Sequence, residues 1–330
     1  MENAQKTIVG IGNALVDVLV QLKDDHLLEQ FGLPKGSMTL VDADTSQKIL
    51  SATAGLESAR ETGGSAANTV RGIAQLGAKT AFIGKINADE MGHFFRKSFE
   101  DLQIKPHLLT GNIPSGVAAT LISPDSERTF GTYLGAASEM VASELSDELF
   151  APYDYLHIEG YLVFNHELIE GILKIAKKNG LIISLDMASF NVVEANLDFL
   201  KRLVNDYVDI VFANEEEAKA FTGKEPEEAL LEIAEQCSVA VVKIGKEGSL
   251  IKAGGQQVRV AATTVNVVDT TGAGDVYASG FLYGLANGFS LANCGKLGGM
   301  LAAEVIQVVG AKIPDQAWPK LLAAVEEMKA

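Results

Sequence analysis

Val267-Val268-Asp269-Thr270-Thr271-Gly272-Ala273-Gly274-Asp275-Val276-Tyr277 holds the turn from which the chain reads as an α/β fold. The β-branched run Thr263 to Val268 predicts a strand, Gly272 and Gly274 a tight loop, and Val276, Ser279, Gly280, Tyr283, Gly284 and Ala286 a helix. A helix start behind such a loop presents free backbone N–H groups and partial positive charge, which together bind anions. Asp275 then falls in the first helical turn. Its carboxylate repels a bound phosphate unless a metal or a reacting hydroxyl stands between them, so an acid beside an anion cradle suggests phosphoryl transfer. The same residues also fit a plain helix cap with a glycine turn.

The 330 residues suffice for one large α/β domain with an accessory piece, or for two domains. An apolar fraction of 47% with 21% charged residues is that of a core-forming globular chain. The net charge of -16, without any basic run, argues against a nucleic-acid partner, because phosphate backbones are held by clustered Lys and Arg. Cys237 and Cys294 form neither a CxxC nor a disulfide framework, which points to a reducing compartment. The apolar run Ile8 to Val20 is broken by Asn13 and Asp17 and lacks a preceding basic segment. A strand is expected there, with no signal peptide or membrane span and a cytoplasmic setting.

Ile8 to Val18 reads as one buried strand. Gly10-Ile11-Gly12 is half of a dinucleotide fingerprint whose third glycine is missing. On an alternating strand Asn13, Leu15 and Asp17 share a face, and an amide with a carboxylate there suits a polyhydroxylated ligand. A solvated acid on the open side of the strand is the other reading. Gly63-Gly64-Ser65-Ala66-Ala67-Asn68 opens a helix marked by Val70, Ile73, Ala74 and Leu76. Its small residues admit a ligand close to the backbone, or they cap the helix and nothing more. Gly72 to Thr80 approaches a P-loop, but it has one residue too many before Lys79 and runs from helix to strand, the wrong order.

The β-rich runs Gly116 to Ile122 and Arg128 to Tyr133 flank the turn Pro124-Asp125-Ser126-Glu127. With Leu15 to Leu22 and Met38 to Val41 they predict a small antiparallel sheet without helices of its own, a lid that excludes water from the reacting centre. Strands at Tyr155 to Ile158, Leu181 to Asp186, Ile210 to Ala213 and Val239 to Ile244 then alternate with helical stretches. Such alternation implies a parallel sheet covered on both faces, with ligands beyond the carboxyl ends of its strands, where Asn214, Gly245 and Gly272 fall. The expected division is a large α/β domain of residues 1–14, 42–106 and 134–330 and a β-sheet lid of residues 15–41 and 107–133. The last part reads as one helix from Phe281 to Val309, stopped at Gly310, and another from Asp315.

Gly63-Gly64 with Asn68, Asn214 with Glu217, Lys243-Ile244-Gly245-Lys246-Glu247-Gly248 and Asp269 to Asp275 stand in the order and spacing of the ribokinase-like (PfkB-type) sugar and nucleoside kinases. The chain resembles that family over nearly its whole length. The resemblance implies a three-layer α/β/α fold with a mostly parallel central sheet plus a small β-sheet lid. It also implies ATP-dependent transfer of the γ-phosphoryl to a primary hydroxyl, with Asp275 as base and the N–H groups of Gly272, Ala273 and Gly274 as anion hole. By the same resemblance Asn13, Asp17, Gly63, Gly64 and Asn68 hold the acceptor, and Asn214 with Glu217 positions Mg²⁺ and phosphates, Glu217 through water. Lys243, Gly245, Gly248 and Thr271 contact ATP, Lys243 standing where the family usually has Thr. The implied cofactors are ATP and Mg²⁺, with a monovalent cation such as K⁺ near Asp269 as a family option.

Gly12 to Asp17, Arg128 to Ala137 and Val208 to Asn214 resemble adenosine kinases more than ribokinases or fructokinases. That implies an adenosine-like acceptor with its 5'-hydroxyl as target, a base pocket lined by Leu134, Ala136 and Tyr161, and Arg128 swinging toward the phosphates on closure. Ala67 stands where the adenosine enzymes tend to carry Gln, and no bulky aromatic neighbours Met38 to stack on a purine. A free sugar acceptor is the alternative. A non-catalytic nucleoside- or sugar-binding protein is opposed by the intact Asp275 and its loop. An acyl hydrolase is opposed by the lack of G-x-S-x-G, and the five histidines have neither metal nor triad spacing. The partners implied are the acceptor and ATP, without nucleic acid or membrane, in a monomer or homodimer.

Overall fold

A computed structural model describes residues 6–125 and 127–329, so Ser126 of the expected 124–127 turn lies outside the described residues. The first apolar run is two strands, β1 (Ile8–Ile11) and β2 (Leu15–Gln21), in different sheets. This corrects the single strand expected over Ile8 to Val18 and takes Asn13 off the strand face of Asp17. The break is made at Gly12 and Asn13. A Cβ on Gly12 would stand 2.2 Å from Glu159 Oε2, and the Asn13 backbone N–H donates to Glu159 Oε1 at 2.9 Å instead of to a neighbouring strand.

The chain continues through α1 (His26–Phe31), β3 (Met38–Leu40), α2 (Ala43–Thr53), β4 (Ser58–Gly63), α3 (Ser65–Gln75) and β5 (Thr80–Ile86). Then come α4 (Glu90–Asp101), β6 (Lys105–Thr110), β7 (Gly116–Ile122), β8 (Arg128–Tyr133), β9 (Tyr155–Glu159) and α5 (His166–Lys178). The regular alternation adds β10 (Ile182–Asp186), α6 (Phe190–Ala195), α7 (Leu197–Tyr207), β11 (Ile210–Asn214), α8 (Glu215–Thr222), α9 (Pro226–Gln236) and β12 (Val239–Lys243). A hairpin of β13 (Ser249–Ala253) and β14 (Gln256–Val260) precedes α10 (Ala273–Ala286), α11 (Leu291–Val305) and α12 (Trp318–Lys329).

Nine strands form the large sheet in the order β14-β13-β12-β11-β10-β9-β1-β5-β6, parallel throughout except for the β13 and β14 hairpin. Parallel strands need cover on both faces. One face is covered by Ile172 of α5, Leu203 of α7, Phe221 of α8 and Leu230 of α9. The other is covered by Ile73 of α3, Phe281 of α10, Leu297 of α11 and Leu321 of α12. The strand order reverses at β1, which lies between β5 and β9, and crevices open at such reversals beyond the carboxyl ends of the strands.

The small sheet has five strands in the order β3-β8-β7-β2-β4. It is mixed and not antiparallel, since β2 runs parallel to β7 and β3 parallel to β8. Two segments differ from the expected division. Ser58–Gly63 joins this sheet beside β2, and Lys105–Thr110 pairs with β5 in the large one. The first is an edge strand with exposed Ser58, Ala59 and Arg60, so no apolar alternation marks it. Nor is the small sheet without helices. Ile49 of α2 and Phe95 and Phe99 of α4 share its core with Val18, Val20 and Leu121.

Thr263 to Val268 is not a strand. β14 ends at Val260, Val267 and Val268 are exposed, and the Val268 N–H donates to Ile306 O at 2.8 Å at the end of α11. The helix expected from Phe281 to Val309 is two, because Gly288 with φ 75° ends α10 and Ser290 caps α11 through the Asn293 N–H. Among the described residues no helix is long and apolar enough to cross a membrane.

Candidate active site

A cavity of about 1260 Å³ is lined by both sheets, with Asp17, Met38 and Thr132 from the small one and Asp186, Asn214 and Lys243 from the carboxyl ends of the large one. Gly272 to Asp275 lie in its wall. Gly272 is the N-cap of α10 with φ 72°, and a Cβ there would stand 2.5 Å from that of Ala311. No side chain caps this helix. The Ala273 N–H donates to Thr270 O at 3.2 Å, whereas among the described residues those of Gly272, Gly274 and Asp275 meet no acceptor. The open donors therefore include Asp275 and exclude Ala273, a correction to the expected trio.

Asp275 Oδ1 accepts from Ser65 Oγ at 2.7 Å and Oδ2 from Asn68 Nδ2 at 3.0 Å, which fixes the carboxylate between α3 and α10. Burial raises its pKa to about 7, and the bonds from Asn68 and Ser65 with the charge of Lys243 counteract only part of that rise. Such a group exchanges a proton near neutrality. Asp17 faces Glu61 across the β2 and β4 pair, and burial and then Glu61 push it to about 7 against the pull of Arg71. No described residue donates a hydrogen bond to the Asp17 carboxylate, so its oxygens are available to hydroxyls of a ligand.

Asn13 donates from Nδ2 to Glu159 Oε1 at 2.5 Å, which leaves its side-chain oxygen free, and Glu159 Oε2 accepts from the Ala66 N–H at 3.1 Å. Burial raises Glu159 to about 7. Asn214 and Glu217 form a reciprocal cap on α8. Asn214 Oδ1 accepts from the Glu217 N–H at 2.8 Å, and the Glu217 oxygens accept from the Asn214 N–H and Nδ2, each at 2.7 Å. Burial likewise raises Glu217 to about 7. Lys243 donates to Asp186 Oδ2 at 3.1 Å. Burial lowers the pKa of this ammonium, but Asp186 and Glu217 more than offset that and hold it above its ordinary value.

Among the described residues no three His, Cys, Asp or Glu side chains come together as a direct metal cluster. The hard oxygens of Asn214 and Glu217 beside Asp186 fit a Mg²⁺ that keeps most of its waters. Gly64, Asn68, Leu134, Tyr161, Gly245, Gly248 and Thr271 also line the cavity. Three expected residues do not. Gly63 is buried against Asp17, Ala136 is fully buried with its Cβ toward Gly111, and Arg128 is buried in an ion pair with Asp269. Arg128 also donates to Thr271 Oγ1 at 3.0 Å, so it braces the loop and does not lie open to phosphates.

Ser65, Glu159 and Asp186 belong to the site and were missed by pattern reading. A carboxylate ending the apolar strands Tyr155–Glu159 and Ile182–Asp186 is the signal that marks the last two. The aromatic lacking near Met38 in sequence comes across the ladder, since Met38 pairs with Phe130, and Tyr161 and Phe164 line the same cavity.

Over residues 42–318 the chain matches the model of the pfkB family carbohydrate kinases. It belongs to that family, whose members transfer a phosphoryl group to a hydroxyl acceptor. The crystal structure of adenosine kinase from Sinorhizobium meliloti is 34% identical with a TM-score of 0.86, covering 98% of this chain and 99% of that one. A 5-dehydro-2-deoxygluconokinase of Listeria monocytogenes is 30% identical over 74% of this chain and 80% of its own length. An uncharacterized sugar kinase of Archaeoglobus fulgidus is 28% identical over 73% of this chain and 96% of its own.

Proposed function

We propose that this kinase transfers the γ-phosphoryl of ATP to the 5'-hydroxyl of a nucleoside, adenosine first. The observation that carries the reading is the composite wall of the cavity. Asp17, Asn13 and Asn68 offer hydrogen-bonding groups to ribose hydroxyls, and Met38, Phe130, Leu134, Tyr161 and Phe164 supply an apolar and aromatic surface larger than a free sugar uses. Likeness to the Sinorhizobium adenosine kinase supports the same acceptor.

Asp275 accepts the hydroxyl proton late, as the acceptor oxygen bonds to phosphorus, because a carboxylate is a weak base toward an alcohol. Ser65 and Asn68 hold its oxygens in the bonding position, and the N–H groups of Gly272 and Gly274 face the developing negative charge. Asn214 and Glu217 would hold hydrated Mg²⁺, which supplies charge neutralisation to the phosphates. The small sheet, carrying Asp17 and Phe130, acts as the lid that excludes water.

A panel of adenosine, inosine, cytidine, ribose, fructose and fructose 6-phosphate with Mg-ATP, read as ADP release, tests this reading. Adenosine is expected to give the highest kcat/KM. Turnover of a free sugar with no nucleoside turnover would replace it with the sugar-kinase reading that the Listeria and Archaeoglobus relatives favour.

A further inference from the structure

By charge alone the cavity is poorly suited to a polyphosphate. Asp17, Glu159, Asp186, Glu217 and Asp275 face it, and among the described residues its only cations are Lys243 and Lys246. Lys246 is exposed at the rim. Lys243 is inside, at the end of β12 in register with Asn214, and its side chain is 15% exposed. Its Nζ bonds Asp186 Oδ2 at 3.1 Å, and a Cβ on Gly274 would stand only 2.9 Å from the same atom. An ammonium has three donor hydrogens. Asp186 takes one, so two remain beside the loop whose free N–H groups bind an anion.

We propose that Lys243 is a catalytic residue, whose ammonium binds the transferring phosphoryl group at Gly274 while Asp186 holds it in place. This rests on the kinase reading above and assigns its main fixed positive charge. In the step, the acceptor oxygen bonds to the γ-phosphorus of a nucleoside triphosphate and the bond to the β,γ-bridging oxygen breaks. That electron pair leaves with the diphosphate, and the hydroxyl proton passes to Asp275. Lys243 donates hydrogen bonds to a γ-oxygen and gives up no proton. A Thr here would offer one neutral bond, whereas Lys adds a charge-assisted one where negative charge is concentrated.

Wild type, Lys243→Met, Lys243→Arg and the double variant Lys243→Met/Asp186→Asn are compared in two ways. One is steady-state kinetics with Mg-ATP and the acceptor the wild type uses best, and the other is calorimetric titration with Mg-ADP and with non-hydrolysable Mg-AMP-PNP. Expected is a loss of about 10²-fold in kcat for both Met variants, with acceptor KM little changed and partial recovery in Lys243→Arg. AMP-PNP affinity falls about tenfold while ADP affinity holds, because only the triphosphate reaches Lys243. The double variant leaves no uncompensated charge, so it keeps the wild-type melting temperature and still lacks kcat. Wild-type kcat in the double variant would mean that Lys243 only neutralises Asp186, and the proposal is overturned. Equal losses of ADP and AMP-PNP affinity, or an unimpaired Lys243→Met, overturn it as well. A wild type that binds neither nucleotide rejects the kinase reading itself and Lys243 with it.

Discussion

Two helices begin at the same cavity and are finished in opposite ways. α8 is capped by its own side chains, since Asn214 and Glu217 each accept the other's backbone N–H and bond side chain to side chain. α10 has an αL glycine for its N-cap and no side-chain cap, so the N–H groups of Gly272, Gly274 and Asp275 stay open. Both starts carry acids in the first turn, which the helix dipole favours in either case. An acidic first turn therefore does not mark an anion site. What separates the two is that the N-cap and third N–H groups are used at α8, by Glu217 and Asn214, whereas those of Gly272 and Asp275 are open at α10.

The sharpest way to break this comparison is at Asp275. Asp275→Asn is expected to lower kcat by about 10³-fold while Mg-ATP affinity stays within a few-fold, since only proton acceptance is removed. Full activity in that variant would rule out Asp275 as the base and leave the start of α10 with its open N–H groups alone. Next in size is pH. With Asp275 held near 7, kcat/KM should fall about tenfold per unit below that value, provided the ionised carboxylate is the active form. Stability runs the other way. Asp17, Glu159, Glu217 and Asp275 are all raised to about 7 in the folded protein, so it binds more protons than the unfolded chain between about pH 4 and 7. The ligand-free protein should lose stability as pH rises through that window, and a melting temperature higher at pH 8 than at pH 5 would contradict it.

Gly272→Ala comes third. Its methyl meets Ala311 in a left-handed conformation, so a cost of about 1–3 kcal/mol in urea unfolding is expected, with kcat lowered through the displaced loop. The smallest effect on stability belongs to the capped start of α8. Asn214→Ala should cost about 1 kcal/mol, the usual loss of a cap, measured by the same unfolding.

Much of the large sheet was legible because buried parallel strands such as Ile210–Asn214 are continuous apolar runs bounded by helical periods. The β-branched Thr263 to Val268 has the same composition and is irregular, because pairing and not composition makes a strand and these residues pair with none. Ser58–Gly63 fails in the opposite sense. Nothing in Ser-Ala-Arg-Glu-Thr-Gly suggests a strand, and pairing with β2 makes it one. In the site, Asp275, Asp17 and Asn68 could be read because glycine pairs and misplaced polar groups mark them locally. Glu159 and Asp186 could not be placed, since their role depends on where Asn13, Ala66 and Lys243 lie.

The sequence by itself determined the family, the parallel sheet and the glycine loop with its acid, because these follow from local periodicity and from residues that only certain backbone conformations accept. Only the tertiary structure decided that Arg128 braces Asp269, that Ala136 is core, that Phe130 stands beside Met38, and that Lys243 reaches the glycine loop at Gly274. Each of these is a contact between segments far apart in the chain. Such contacts are set by sheet order and register, which composition and spacing along one strand do not encode.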